Sequence, residues 1–133
     1  MFGLSRRERA LKKATGALAE FYQVLQPSPR APLADLPMLA VDVETTGLSP
    51  RNDRLLSIGW VPIDGGTITL AGAGHVVLQQ RDGTSVGKSA TIHGLTDDAL
   101  RAGTPAAEAV TGLLHALQGR VMVVHYATME QGF

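Results

Sequence analysis

The chain predicts a mixed α/β sheet, and three observations carry that prediction. Apolar runs of strand length recur at residues 37–44, 54–63, 67–78 and 120–125. Only short turns separate the first three, which makes a meander. A stretch of helical periodicity opening at Thr104-Pro105 separates the last two, which makes a crossover. A right-handed crossover sets the fourth strand parallel to the first and beside it.

At 133 residues the chain is expected to form one domain with an appendage. Its 44% hydrophobic and 18% charged content fit a globular protein rather than a disordered one. Twelve basic and twelve acidic residues cancel, so overall charge neither favours nor opposes a polyanionic partner. The absence of Cys excludes disulfides and thiolate metal sites. It is compatible with a reducing cytoplasm, the expected location. No apolar run approaches the roughly 20 residues that span a bilayer, so no membrane association is expected. No apolar stretch follows the basic N-terminal residues, which argues against a secretory signal.

Residues 1–26 are expected to be dominated by one amphipathic helix running from Ser5 to Gln26. Ser5 and Glu8 form a capping-box pattern, and Leu11, Ala14, Leu18, Phe21 and Leu25 recur at helical spacing. Arg6, Arg7, Arg9, Lys12 and Lys13 make it basic. Two readings stay open: a basic arm touching nucleic acid or a partner, and a docking helix with a solvated charged face. Residues 27–37 hold four of the seven prolines and read as a semi-rigid linker. Residues 38–133 then form the main domain.

Within it, strand one runs from Pro37 to Glu44 and strand two from Arg54 to Ile63. Asp64-Gly65-Gly66 signals a hairpin turn. Strand three spans Thr67 to Leu78, loosened by Gly72 and Gly74. Residues 79–103 read as irregular, with Thr96 opening a short helical turn. Thr104 caps a helix with Pro105 at its first position, and that helix stops at Gly119. Strand four covers Arg120 to His125, and a last helix begins near Ala127.

The chemistry-bearing stretch is Val41-Asp42-Val43-Glu44-Thr45-Thr46-Gly47-Leu48. Side chains alternate faces along a strand, so Asp42 and Glu44 share one face and Val41 and Val43 the other. Two like charges ending a buried strand are costly unless a cation lies between them. Hard divalent cations suit carboxylate oxygens. The competing reading is a solvated face of an edge strand. The predicted topology also brings Asp42, Glu44 and the residues after His125 to one edge of the sheet. His125, His75 and His115 read as structural or surface residues, and Trp60 as core.

Three stretches in order extend this reading: Asp42-x-Glu44-Thr45-Thr46-Gly47-Leu48, with Pro50, Asp53 and Ile58-Gly59 after it; Ile92-His93-Gly94-Leu95; and His125 to Glu130. Together they resemble the DEDDh subgroup of DnaQ-like 3′–5′ exonucleases, on the ribonuclease H-like fold. The resemblance covers residues 36–133. It implies metal-assisted hydrolysis of the terminal phosphodiester of single-stranded DNA or RNA with two Mg²⁺ or Mn²⁺ ions. Asp42 is implied to bridge both ions and Glu44 to bind one. Glu130 stands where the second motif has an aspartate. Thr45 and Thr46 are implied to lie against the terminal sugar, Leu48 near the terminal base, and His93 against the terminal nucleotide. A DNA polymerase or a second copy of the chain are the implied protein partners.

Tyr126 stands where many relatives have Asn. The family's third motif, a His followed five residues later by an Asp, is not found where the family has it. The expectation is therefore a truncated exonuclease domain, marginal in stability and inactive alone. A non-catalytic nucleic-acid-binding module and a phosphohydrolase unrelated to nucleic acid are the rival readings.

Overall fold

The computed structural model describes residues 5–80 and 94–133. Five strands form one sheet: β1 (Met38–Thr45), β2 (Leu55–Asp64), β3 (Thr67–Ile68), β4 (Gly74–Val77) and β5 (Val121–Val123). The helices are α1 (Arg6–Leu11), α2 (Gly16–Gln23), α3 (Asp97–Arg101), α4 (Ala106–Ala116) and α5 (Ala127–Glu130). The strand order is β3-β2-β1-β5, with β4 also paired to β2. β1 is antiparallel to β2 and parallel to β5, so the crossover through α4 lands as predicted.

Alternation along β1 divides the molecule. Leu39 and Val41 are buried in the core with Ile58, Leu78, Ala109 and Leu117, and Val43, Trp60, Val76 and Met122 pack against them. Burying each large aliphatic side chain contributes roughly 1.5–3 kcal/mol. Trp60 is a core residue, and a Cβ on Gly74 of the neighbouring strand would lie 2.3 Å from its indole. A smaller cluster joins Leu56 to Leu100 under Val77 and Leu95.

Two elements depart from the sequence expectation. The single helix from Ser5 to Gln26 is instead a hairpin of α1 and α2. Thr15 is extended and Gly16 adopts φ +55°, a conformation that ends a helix. The fold-back lets Arg7 donate to the carbonyls of Tyr22, at 2.7 Å, and Val24. In a straight helix those groups would be about 22 Å or more apart. The capping box on Ser5 is present, and α2 packs on α4, where Glu20 meets His115 at 3.0 Å.

The second departure is strand three. It splits into β3 and β4 around a 3-10 turn at Leu70–Gly72. Pro62 of β2 has no N–H to donate on that side, and its ring fills the place of a Cβ on Gly72, 2.6 Å away. Ladder pairing therefore lapses between Ile68 and Gly74. Smaller differences are one- or two-residue shifts of strand ends, with β5 stopping at Val123 and leaving His125 beyond it. α4 begins at Ala106, with Pro105 rather than Thr104 at its N-cap. The proline-rich segment contains a short 3-10 turn at Leu33–Asp35. The Asp64-Gly65-Gly66 turn is as expected, with both glycines at positive φ, as a tight hairpin turn requires.

The open ends of β1, β2 and β5 are tied by one arginine. Arg120 donates to Asp64 at 2.6 Å and to the Met38 carbonyl at 3.2 Å. Its guanidinium holds the Asp64 carboxyl below the ordinary carboxylate range. A lowered folded pKa contributes stability above the unfolded pKa of about 3.9, and that contribution is lost as pH falls through the folded value. Asp64→Asn should therefore lower the melting temperature modestly at neutral pH. The difference from the parent should vanish in melts recorded well below pH 3.9.

Candidate active site

The strand that carries Leu39 and Val41 into the core carries Ala40, Asp42 and Glu44 on its other face. Asp42 is exposed and Glu44 half-buried. This corrects the argument from burial: Asp42 is not forced to a partner by desolvation. What the structure retains is the pairing itself, two carboxylates side by side on one face at the strand end. The β1–β2 register shifts between Glu44 and Thr45, so the strand bends immediately after the second carboxylate.

An open groove of about 760 Å³ lies on the sheet beside Asp42. Ala40, Gly59, Val61, Val123 and His125 line it with Asp42. Gly59 faces Asp42 across the β1–β2 ladder, so no side chain from β2 fills the space next to the carboxylate. His125 lies on the groove wall, a position the sequence alone did not indicate.

The turn after β1 is held from within by Asp53. Its Oδ1 accepts from the Thr46 hydroxyl at 3.1 Å and its Oδ2 from the Ser49 amide at 3.0 Å. The Thr46 hydroxyl also accepts from the Arg54 amide at 3.0 Å, and the Thr45 hydroxyl donates to the Gly47 carbonyl at 2.6 Å. A Cβ on Gly47 would sit 2.6 Å from the Asp53 carboxylate, so only glycine allows this closure. Both threonine hydroxyls are thus occupied inside the turn, and Leu48 is left 77% exposed at its tip. Sequence reasoning placed Asp53 in the motif without seeing that it organises the turn. The signal available was a carboxylate eight residues after Thr45 in a Gly-containing turn.

α5 brings the second motif to the first. It packs on β1, and a Cβ on Gly132 would meet the Pro50 ring at 2.6 Å. Glu130 ends α5, and its buried Oε2 has no hydrogen-bond partner. An unpartnered buried carboxylate oxygen suits a cation. Among the described residues, however, no three His, Asp or Glu side chains form a group that could hold a metal ion. Asp42, Glu44 and Glu130 therefore form no such group, although α5 packs on the strand that carries the first two. Thr91, Ile92 and His93 lie outside the described residues. Gly94, at φ +69°, and Leu95 follow them.

A mixed sheet in this order, with its parallel crossover through α4, is the architecture of a ribonuclease H-like domain. The exonuclease family model (RNase_T) matches residues 39–129, and the chain belongs to that family. It is also 28% identical over 132 residues to the PolC-type DNA polymerase III of Thermotoga maritima. That alignment covers 96% of this chain and 9% of the polymerase, so the chain spans under a tenth of the relative's length. No helix among the described residues is long and apolar enough to cross a membrane.

Asp53→Ala leaves the Ser49 amide and Thr46 hydroxyl without their acceptor, at a cost of about 1–3 kcal/mol. It should lower the denaturant midpoint accordingly. Amide exchange should rise at residues 46–49 before it rises in β1.

Proposed function

We propose that this chain provides the catalytic face of a metal-dependent 3′–5′ exonuclease acting on single-stranded DNA or RNA ends. The observation that carries the reading is the placement of Asp42 and Glu44 on one open face beside the turn that presents Leu48. The polarity and the single-stranded substrate rest on the resemblance of the motifs in sequence.

The donor set suits Mg²⁺ or Mn²⁺ in its chemistry: hard oxygens only, with a partnerless oxygen on Glu130. Mg²⁺ is commonly held by one or two carboxylates, with water and substrate phosphate completing the shell. In this reading Asp42 and Glu44 hold the ions and Glu130 contributes from α5. Bound divalent ions supply charge neutralisation at the scissile phosphate and acidify a water. The chain's own part is positional. The Thr45-Thr46-Gly47 backbone, closed by Asp53, sets the floor for the terminal sugar. Leu48 offers an apolar contact to the terminal base, and His93 a contact to the terminal nucleotide. The groove beside Asp42 leaves room for substrate without rearrangement of the sheet. A polymerase partner is proposed from the likeness to the Thermotoga polymerase, and a homodimer partner from the family resemblance. Both are part of the proposal.

A second reading has one observation in its favour. Glu130 in place of the family's aspartate, with no three-ligand group among the described residues, fits a domain that binds nucleic acid without cutting it.

The test is an assay of the protein on a 5′-labelled single strand with Mn²⁺. The proposal expects a ladder shortening from the 3′ end and abolished by EDTA. Asp42→Ala should reduce kcat/KM by about a thousandfold, the equivalent of losing several kcal/mol of metal-borne charge stabilisation. Binding with no shortening in Mn²⁺ would favour the non-catalytic reading.

A further inference from the structure

We propose that the α1–α2 hairpin is a second contact surface for single-stranded nucleic acid, reading phosphates rather than bases and lying away from the carboxylate face. The identity of the polyanion rests on the proposed function, while the surface itself is read from charge and geometry.

Charge is segregated along this neutral chain. Residues 5–26 carry five cations and two anions, whereas residues 27–133 carry seven cations and ten anions. The domain that bears the carboxylate site is therefore net negative and repels a phosphodiester strand at long range. The hairpin is the place where the chain concentrates the opposite sign.

The structure shows which of those charges are available. Arg7 is committed inward, donating to two carbonyls at the end of α2 and lying over the Tyr22 ring at 5.7 Å. Glu8 is held by the Ser5 amide at 2.7 Å. Glu20 is engaged with His115. Arg9, Lys12 and Lys13 are exposed and make no ion pair within 4 Å among the described residues. With Ala10 they line a shallow recess of about 380 Å³. Three cations around one concavity, with the nearest acid already capped, is an arrangement suited to phosphate oxygens.

Placement separates this surface from the site. α2 packs on α4, and Phe21 packs against the core cluster on the helix-covered side of the sheet. Asp42 and Glu44 are on the opposite face. The hairpin therefore touches a strand upstream of its 3′ end. With Tyr22 occupied by Arg7, the surface offers no free ring at that point for base stacking, so affinity should be indifferent to sequence.

The test is fluorescence anisotropy of the 133-residue chain with a 5′-fluorescein oligothymidylate in EDTA, titrated across salt concentrations. Arg9→Gln/Lys12→Gln/Lys13→Gln should weaken binding about tenfold at low salt and flatten the log–log salt slope by about 2. Arg9→Gln/Lys13→Gln, which leaves the Glu8–Lys12 neighbourhood intact, should flatten it by about 1.4 and guards against misfolding at the α1 terminus. The charge-preserving Arg9→Lys/Lys12→Arg/Lys13→Arg should bind as the parent does. An unchanged slope in both glutamine variants overturns the proposal. Displacement of the strand by polyglutamate at equal charge concentration also overturns it, in favour of an acidic protein partner. Because this binding is read in EDTA, where no hydrolysis is expected, a failure to shorten strands in Mn²⁺ with the binding intact would count against the catalytic reading alone.

Discussion

The register of β1 is the constraint on which everything else depends. β1 is paired along its length to β2 and at its start to β5, so its two-residue alternation is locked from both sides. Leu39, Val41 and Val43 go to the core, and Ala40, Asp42 and Glu44 to the open face. A slip of one residue would exchange the two sets and drive two carboxylates into the apolar cluster. The cost of an unpaired buried charge is several kcal/mol, comparable to the whole stability of a small domain. Core packing and the presentation of the site are thus one requirement, satisfied by the same eight-residue strand.

The rest of the molecule serves that strand. Arg120 and Asp64 tie together the ends of β1, β2 and β5, where ladder bonds run out. α4 covers the buried face through Ala109 and Leu113, and the N-terminal hairpin covers part of α4. At the other end, the bend after Glu44 leads into a turn closed on Asp53, and α5 folds back against it with Gly132 on Pro50. The closed turn, the α5 contact and the packing of Trp60 each need a residue without a side chain at the point of approach. The glycines at 47, 74 and 132 are therefore spatial requirements, two of them beside the site.

Much of this was legible in the sequence because it depends on local period. The alternating strand, the Asp64-Gly65-Gly66 turn, the helix after Pro105 and the parallel placement of the last strand all follow from short-range pattern plus one handedness rule. The N-terminal helix was misread because its apolar spacing continues smoothly across Thr15 and Gly16. It breaks where Thr15 turns extended and Gly16 takes positive φ, and the fold-back is held by Arg7 bonded to the end of α2. Strand three was misread because Pro62 acts on a neighbour rather than on its own strand. At the site, the pairing of Asp42 with Glu44 was visible, while a buried and a solvated face both stayed open for it. Exposure depends on what lies over the sheet, which periodicity does not encode. The role of Asp53 was equally hidden, since its bonds to Thr46 and Ser49 exist only once the turn has closed.

The central claim is that the open face of β1 grips hard cations between two side chains. Anomalous diffraction from crystals of this protein grown with Mn²⁺ measures that directly. The account predicts a peak at coordination distance, about 2.1 Å, from carboxylate oxygens of both Asp42 and Glu44. Well-ordered carboxylates with no peak beside them, or manganese found solely elsewhere on the surface, would contradict it.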